Sequence, residues 1–251
     1  MNKKTSIKIG VIPAGGRGTR LGWLGNFLPK SLVPIGTKPI LYYIIENLRS
    51  MGINRIYLLV NYKSHLIKQY LQDEPNFKKI SFHFVHSQPN LGLSDVIGKI
   101  RQYIKEPFVV ILGDDFTLGS QLNQFPLAGL AEGIIAQEIV VKEKNKKVIS
   151  QTCEIYFDKT GRITKAIEKP KHPKSSYRGC GIYFFKPQVF SYIQKTVPSV
   201  QTGKKEITDT INLIAKERGA FACVINGINV NINAQEDLIQ ATKHLFANDK
   251  K

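Results

Sequence analysis

Between residues 7 and 112, four short apolar runs alternate with three stretches of helical periodicity. The runs cover 7–14, 55–61, 80–86 and 108–112 and are rich in Ile, Val, Leu, Phe and Tyr. The stretches between them, 39–51, 64–71 and 93–104, space their apolar residues three and four apart. The first stretch has Pro39 at its start and Gly52 just past its end, the asymmetry that helix termini favour. Strands that alternate with helices are joined by crossovers, so they lie parallel in one sheet with helices on both faces. Ligands of such sheets bind outside the carboxyl ends of the strands. Two strings with chemical potential fall at such ends. A glycine-rich loop follows Ala14, and Gly113-Asp114-Asp115 follows the run that ends at Leu112.

The loop reads Ala14-Gly15-Gly16-Arg17-Gly18-Thr19-Arg20-Leu21, and Leu28-Pro29-Lys30 comes shortly after. Glycines let backbone N–H groups approach phosphate oxygens closely. Arg17, Arg20 and Lys30 then supply countercharge. The spacing excludes two common nucleotide loops. The dinucleotide fingerprint needs a third glycine where Leu21 stands, and no Gly-x-x-x-x-Gly-Lys-Ser/Thr string occurs. A carboxylate in Gly113-Asp114-Asp115 is well placed to hold a hard divalent cation against phosphate oxygens. The five histidines do not cluster at metal-ligand spacing, and no nucleophile-base pair suggests covalent catalysis.

The chain has 251 residues, 42% of them apolar, enough for one large α/β domain. No uncharged apolar segment reaches the length of a membrane span. The basic start followed by an apolar run faintly imitates a signal peptide, but Pro13 and the glycine pair cut the run short and a first strand fits better. Cys153, Cys180 and Cys223 are odd in number and scattered, which suits reduced thiols in a cytoplasmic protein. A formal charge of +17 implies anionic partners. The lysines are spread in short groups with no nucleic-acid module around them, which argues against a specific nucleic-acid partner and leaves small phosphate-bearing molecules as anionic candidates.

The second half changes character. Strands are expected over 134–142, 181–185 and 221–225, and a hairpin over 154–167 about the turn Asp158-Lys-Thr-Gly-Arg162. Helices are expected over 207–218 and 235–246, while 118–132 is ambiguous. The fold class is therefore α/β. It is a Rossmann-like, mixed but mostly parallel sheet covered by helices on both faces, with a small β-rich lobe closing one side of the site. A single domain is expected: a nucleotide-binding half over 1–115, a second half over 134–233, and a C-terminal helix and tail over 234–251.

The strings Gly-Gly-Arg-Gly-Thr-Arg-Leu and Leu-Pro-Lys, then Gly113-Asp114, Glu168-Lys169-Pro170, Glu206-Ile-Thr-Asp209 and the stretch around Asn231 fall in one order. Together they resemble the sugar-phosphate nucleotidylyltransferases, also called NDP-sugar pyrophosphorylases. The resemblance implies Mg²⁺-dependent transfer of a nucleotidyl group from a nucleoside triphosphate to a sugar 1-phosphate, with release of pyrophosphate. It implies catalytic roles for Arg20, Lys30 and Asp114, and metal ligation by Asp114 and Asn231. Nucleotide binding falls to Ala14, Gly15, Gly16, Gly18, Thr19, Arg20, Gln88 and Gly92. Sugar-phosphate binding falls to Glu168, Lys169, Gly179 and Glu206. Ser87 holds the register of a base-reading glutamine, with Gln88 one place later. Cys153 stands where thymidylyltransferases tend to have a glycine next to the sugar. Thr202 stands near a usual arginine, whose charge falls to Lys204 or Lys205. The base is left between thymine and uracil, and the sugar between glucose and alternatives such as N-acetylglucosamine. A non-catalytic sugar-nucleotide binder of the same fold is the other reading, and a homo-oligomer is compatible with the sequence.

Overall fold

The inner strands of the first half bury both faces, and their residues divide by parity between two cores, whereas the edge strand leaves Ser81, His83 and His86 exposed. The computed structural model describes residues 7–119, 122 and 132–248. β1 (Ile9–Pro13), β4 (Arg55–Val60), β5 (Ser81–His86) and β6 (Phe108–Ile111) form the parallel part of a nine-stranded sheet, while β2 (Pro34–Ile35) and β3 (Lys38–Pro39) pair as a separate short ribbon. Ile9, Val11, Tyr57, Leu59, Phe108 and Val110 point into one core. Ile12, Leu58, Val60, Val109 and Ile111 point into the other. This two-residue period requires apolar cover on each side. α2 (Ile40–Ser50) and α3 (Ser64–Asp73) cover the second face. α4 (Leu93–Gly98), α6 (Val189–Lys195) and α7 (Ile207–Lys216) cover the first.

The later strands continue the same sheet. β11 (Tyr177–Phe185) lies antiparallel to β6 on one side and to β8 (Ala136–Lys142) on the other. β12 (Ala220–Val224) then extends β8 in parallel. The hairpin of β9 (Cys153–Phe157) and β10 (Ile163–Glu168) joins the edge of β11 only through Arg178 and Glu154. The β-rich part expected of the second half is thus built on the first sheet, with the hairpin as its projection. The three cysteines are free thiols. No helix among the described residues is long and apolar enough to cross a membrane.

Four differences from the sequence reading bear on the site. β7 (Asp115–Leu118) and β13 (Ile228–Asn231), which were not expected, pair antiparallel and place Asn231 opposite Asp115. β11 begins at Tyr177 rather than at 181. α4 stops at Gly98 instead of running to 104, although Ile100 and Ile104 stay buried through a series of tight turns. Three further short helices form, α1 (Leu24–Phe27), α5 (Lys146–Gln151) and α6. The chain closes with α8 (Gln235–Asn248). Of the ambiguous segment, Leu118 belongs to β7, and residues 120, 121 and 123–131 lie outside the described residues, as do 1–6.

Candidate active site

The carboxyl ends of the parallel strands gather the loops that the sequence singled out. Gly113 donates its N–H to the Pro13 carbonyl at 3.1 Å, so the loop after β6 abuts the end of β1. A Cβ at Gly113 would lie 2.6 Å from that carbonyl oxygen, so only glycine permits the approach. Asn61 after β4 and Ser87 after β5 flank the same rim. Together with Gly15, Gly16, Arg17, Gly18, Thr19 and Gln88 they line a cavity of about 650 Å³. Lys204 reaches this cavity, whereas Lys205 faces Asp95 at 3.9 Å. Gly92 lines neither cavity. It caps α4 beneath the Lys205 backbone, where a Cβ would collide with the Lys205 carbonyl.

A second cavity, of about 150 Å³, lies across Leu93 from the first. It takes in Arg20, Glu168, Lys169, Gly179, Glu206 and Asn231, all named from the sequence, and also Asp115, Cys153, Tyr183 and Asn233. Glu168 and Lys169 form an ion pair at 3.2 Å. Burial pushes the Glu168 carboxyl upward; Lys169 pulls it back and Glu206 pushes it further up. Lys169 has φ of 42°, a left-handed backbone held by its N–H bond to the Thr152 carbonyl at 2.8 Å. Backbone strain of this kind concentrates at functional sites.

Along the smaller cavity runs a polar chain. Lys30 donates to Asp114 Oδ2 at 2.5 Å and to Asn233 Oδ1 at 3.0 Å. Arg20 donates to the same Asn233 oxygen at 2.6 Å. Asn233 in turn donates to Asn231 Oδ1, and Asn231 donates to Asp115 Oδ1 at 3.3 Å. The β7–β13 pairing builds this chain, reinforced by the Ile232 N–H bond to the Asp114 carbonyl at 2.8 Å. Ala14, Lys30 and Asp114 also share a small crevice under Gly16. The structure thus brings Arg20, Lys30, Asp114 and Asn231 together through Asn233, a residue the sequence reading did not name. Its only sequence signal was its place two residues beyond Asn231.

Asp115 lies deeper and is 2% exposed. Its Oδ2 has no hydrogen-bond partner and fills the space over Gly181, where a Cβ would collide with it. Burial, then the neighbouring Asp114 charge, push its carboxyl well above the ordinary range, while Arg178 and Lys30 draw it back. Arg178 is itself buried, donating to Asn229 Oδ1 at 2.7 Å and to the Asn229 carbonyl at 2.6 Å. Among the described residues no three His, Cys, Asp or Glu side chains form a closed metal cage. Asp114, Asp115 and the Asn231 amide nevertheless present hard oxygen donors of the kind that Mg²⁺ takes alongside phosphate oxygens.

Comparison with known proteins points one way. A family model described as nucleotidyl transferase matches residues 9–245. The bifunctional protein GlmU of Methanocaldococcus jannaschii is 30% identical over 236 residues, covering 94% of this chain and 54% of that protein. The chain therefore spans about half the length of that relative. The UTP–glucose-1-phosphate uridylyltransferase AglF of Haloferax volcanii is 28% identical over 239 residues, covering 94% of this chain and 95% of that one. A crystal structure of UDP-glucose pyrophosphorylase complexed with UDP-glucose superposes with a TM-score of 0.86 at 23% identity. It covers 96% of this chain and 99% of that one, which establishes a shared fold.

Proposed function

The chain belongs to the nucleotidyl transferase family, and we propose that it transfers a nucleotidyl group from dTTP or UTP to a sugar 1-phosphate, with glucose 1-phosphate favoured. The observation that carries the reading is the cationic node beside the smaller cavity. Lys30 and Arg20 converge on one amide oxygen of its lining, that of Asn233, and Arg20 directly follows Thr19, which lines the larger cavity. Backbone N–H groups of Gly15, Gly16 and Gly18 hold the outer phosphates of the triphosphate in the larger cavity. Gln88, with Ser87 beside it, faces the polar edge of the base there. Glu168 accepts sugar hydroxyl protons in the smaller cavity, Lys169 meets the sugar phosphate, and Glu206 flanks the sugar.

A phosphate oxygen of the sugar 1-phosphate then attacks the α-phosphorus in line. The bond to the bridging oxygen breaks, and pyrophosphate leaves with the electron pair. Lys30 neutralises charge at the α-phosphate and Arg20 on the leaving side, so catalysis is positioning and charge stabilisation. Asp114 and Asn231 would hold Mg²⁺, which supplies charge neutralisation to the phosphates when bound. Asn231 contributes an uncharged ligand, so metal affinity is lower than with two carboxylates. On this reading residues 1–115 form the nucleotide half and 134–233 the sugar-phosphate half, and the reaction runs in the cytoplasm. The test is pyrophosphate release across a matrix of nucleoside triphosphates and sugar 1-phosphates with Mg²⁺. Turnover with a pyrimidine triphosphate and a hexose 1-phosphate is expected. No turnover with any pair would reduce the chain to a sugar-nucleotide binder.

A further inference from the structure

One wall of the smaller cavity has no part in the reaction just described. It is made of Gly179 on β11 and Cys153 at the start of β9, both lining the cavity, with Glu138 of β8 behind them. Glu138 is 0% exposed. Its Oε1 accepts a hydrogen bond from the Cys153 thiol at 3.6 Å, and its Oε2 has no partner. The wall is full. A Cβ at Gly179 would collide with Glu138 Oε1 and sit 2.6 Å from Cys153 Sγ. Because the thiol proton is directed at Glu138, the sulfur offers the cavity only a weak acceptor and a soft apolar surface. Beside this wall Glu168 pairs across the hairpin with Cys153, and Lys169 and Glu206 add to the polar lining, groups that suit hydroxyls and phosphate. The cavity measures about 150 Å³, and Glu138 and Cys153 fill its wall at Gly179.

We propose that Glu138 is a positioning residue for sugar specificity: it holds Cys153 against Gly179 so that the cavity admits a hexose 1-phosphate bearing hydroxyls and excludes its N-acylated counterpart. The inference rests on the sugar-nucleotide reading above and narrows its substrate. An acylamino group adds three heavy atoms beyond a hydroxyl, and a filled wall cannot yield that volume without displacing buried atoms. Glu138 serves in this place because it stays protonated. Burial pushes its carboxyl up to about 8, with Glu168 adding to the shift and the Cys153 hydrogen bond opposing it. The titratable groups facing it are Cys153 from β9, Glu168 from β10, and Cys180 and Tyr183 from β11, while β12 sets Ala222 opposite. None of them brings a positive charge.

The test is calorimetric binding of UDP-glucose and dTDP-glucose and of the matching N-acetylglucosamine nucleotides. Four proteins are compared: the natural chain, Glu138→Gln, Glu138→Ala and Cys153→Gly. The natural chain should prefer the glucose nucleotide by about 30-fold or more, the range that one excluded substituent produces. Glu138→Gln, which keeps the volume and an acceptor for the thiol, should retain that preference. Glu138→Ala and Cys153→Gly should cut it to about threefold or less. Equal binding of both sugars by the natural chain overturns the inference. So does an undiminished preference in Cys153→Gly, which leaves Glu138 in place and serves even where Glu138→Ala does not fold. Loss of the preference in Glu138→Gln also overturns it. Failure of the natural chain to bind any of these nucleotides overturns the functional reading and this inference with it, whereas binding without discrimination overturns this inference alone.

Discussion

Replacing Glu138 with glutamine should change how stability depends on pH, independently of any substrate. The side chain lies in the middle of β8, between β11 and β12, with no exposed surface. In the unfolded chain its carboxyl titrates at the ordinary 4.5; in the folded protein burial raises it to about 8. The folded state therefore keeps a proton that the unfolded state gives up. The sign follows from the upward direction. The contribution is intact below pH 4.5 and drains away as pH rises toward 8, because ionisation becomes a cost of folding. The slope is about 1.4 kcal/mol per pH unit across that window. The ceiling is about 5 kcal/mol, a large share of the 5–15 kcal/mol that stabilises a typical domain. Glutamine cannot ionise, so this slope vanishes in the variant. Urea unfolding monitored by circular dichroism at pH 5, 7 and 9 would read it. The variant should match or fall slightly below the natural protein at pH 5 and exceed it at pH 9. Stability curves that run parallel from pH 5 to 9 would refute the reasoning, because Glu138 would then titrate alike in both states.

Two further outcomes follow from contacts elsewhere. Lys30→Ala and Asp114→Ala should each lower kcat by roughly 10²–10³, the usual loss when one preorganised charge is removed from a phosphoryl-transfer site. Thermal unfolding should change little in either, since both groups are partly exposed; near-normal rates would show that the site lies elsewhere. Glu154 is buried and accepts from the Lys174 and Ser175 N–H groups and from Tyr156 Oη at 3.0 Å. Glu154→Ala orphans those donors and should cost about 1–3 kcal/mol in urea unfolding. Hydrogen exchange at Lys174 and Ser175 should speed up, and unchanged protection would show that the carboxylate does not clamp this loop.

The parallel half of the fold was legible because its cause is local. β1, β4 and β6 are short, mostly apolar runs, β5 alternates polar residues with phenylalanines, and α2 carries its stop signal in Gly52, at φ of 75°. The glycine loop and Gly113-Asp114 were legible for the same reason. They end such runs, and the parallel topology puts strand ends on one rim. What stayed hidden depends on partners far away in sequence. β7 and β13 are four residues each, with polar residues among the apolar ones, and neither has a reason to be extended until the other lies beside it. Their pairing sets the register Asn231 to Asp115 and carries Asn233 to Lys30, so the polar node could be listed residue by residue without its link being visible. α4 ended early for a local reason that periodicity masks. Gly98 weakens the helix, yet the turns that follow still bury Ile100 and Ile104 on the predicted face.

β11 misled for the opposite reason. Its first half, Tyr177-Arg-Gly-Cys-Gly, contains two glycines, which argue against a strand. Both glycines are there because a carboxyl group lies against the strand. Glu138 occupies the place of a side chain at Gly179, and Asp115 the place of one at Gly181. Each carboxyl is buried, each has one oxygen without a partner, and each is pushed above its ordinary value by burial. Glu138 stands behind Cys153 and Asp115 beside Asn231, at two points along the smaller cavity. The strand gives up two side chains so that two buried acids can stand there. A residue pattern that lowers strand propensity is thus a signature of the site itself: small residues at alternate positions of a central strand mark where neighbouring strands send carboxylates across it. An alanine at either position would test that reading of the strand, since the collision at Gly179 falls on the sugar wall and the collision at Gly181 on the Asp115–Asn231 link. Gly179→Ala should therefore weaken sugar-nucleotide binding and Gly181→Ala should lower turnover, and equal effects of the two on both quantities would deny the division.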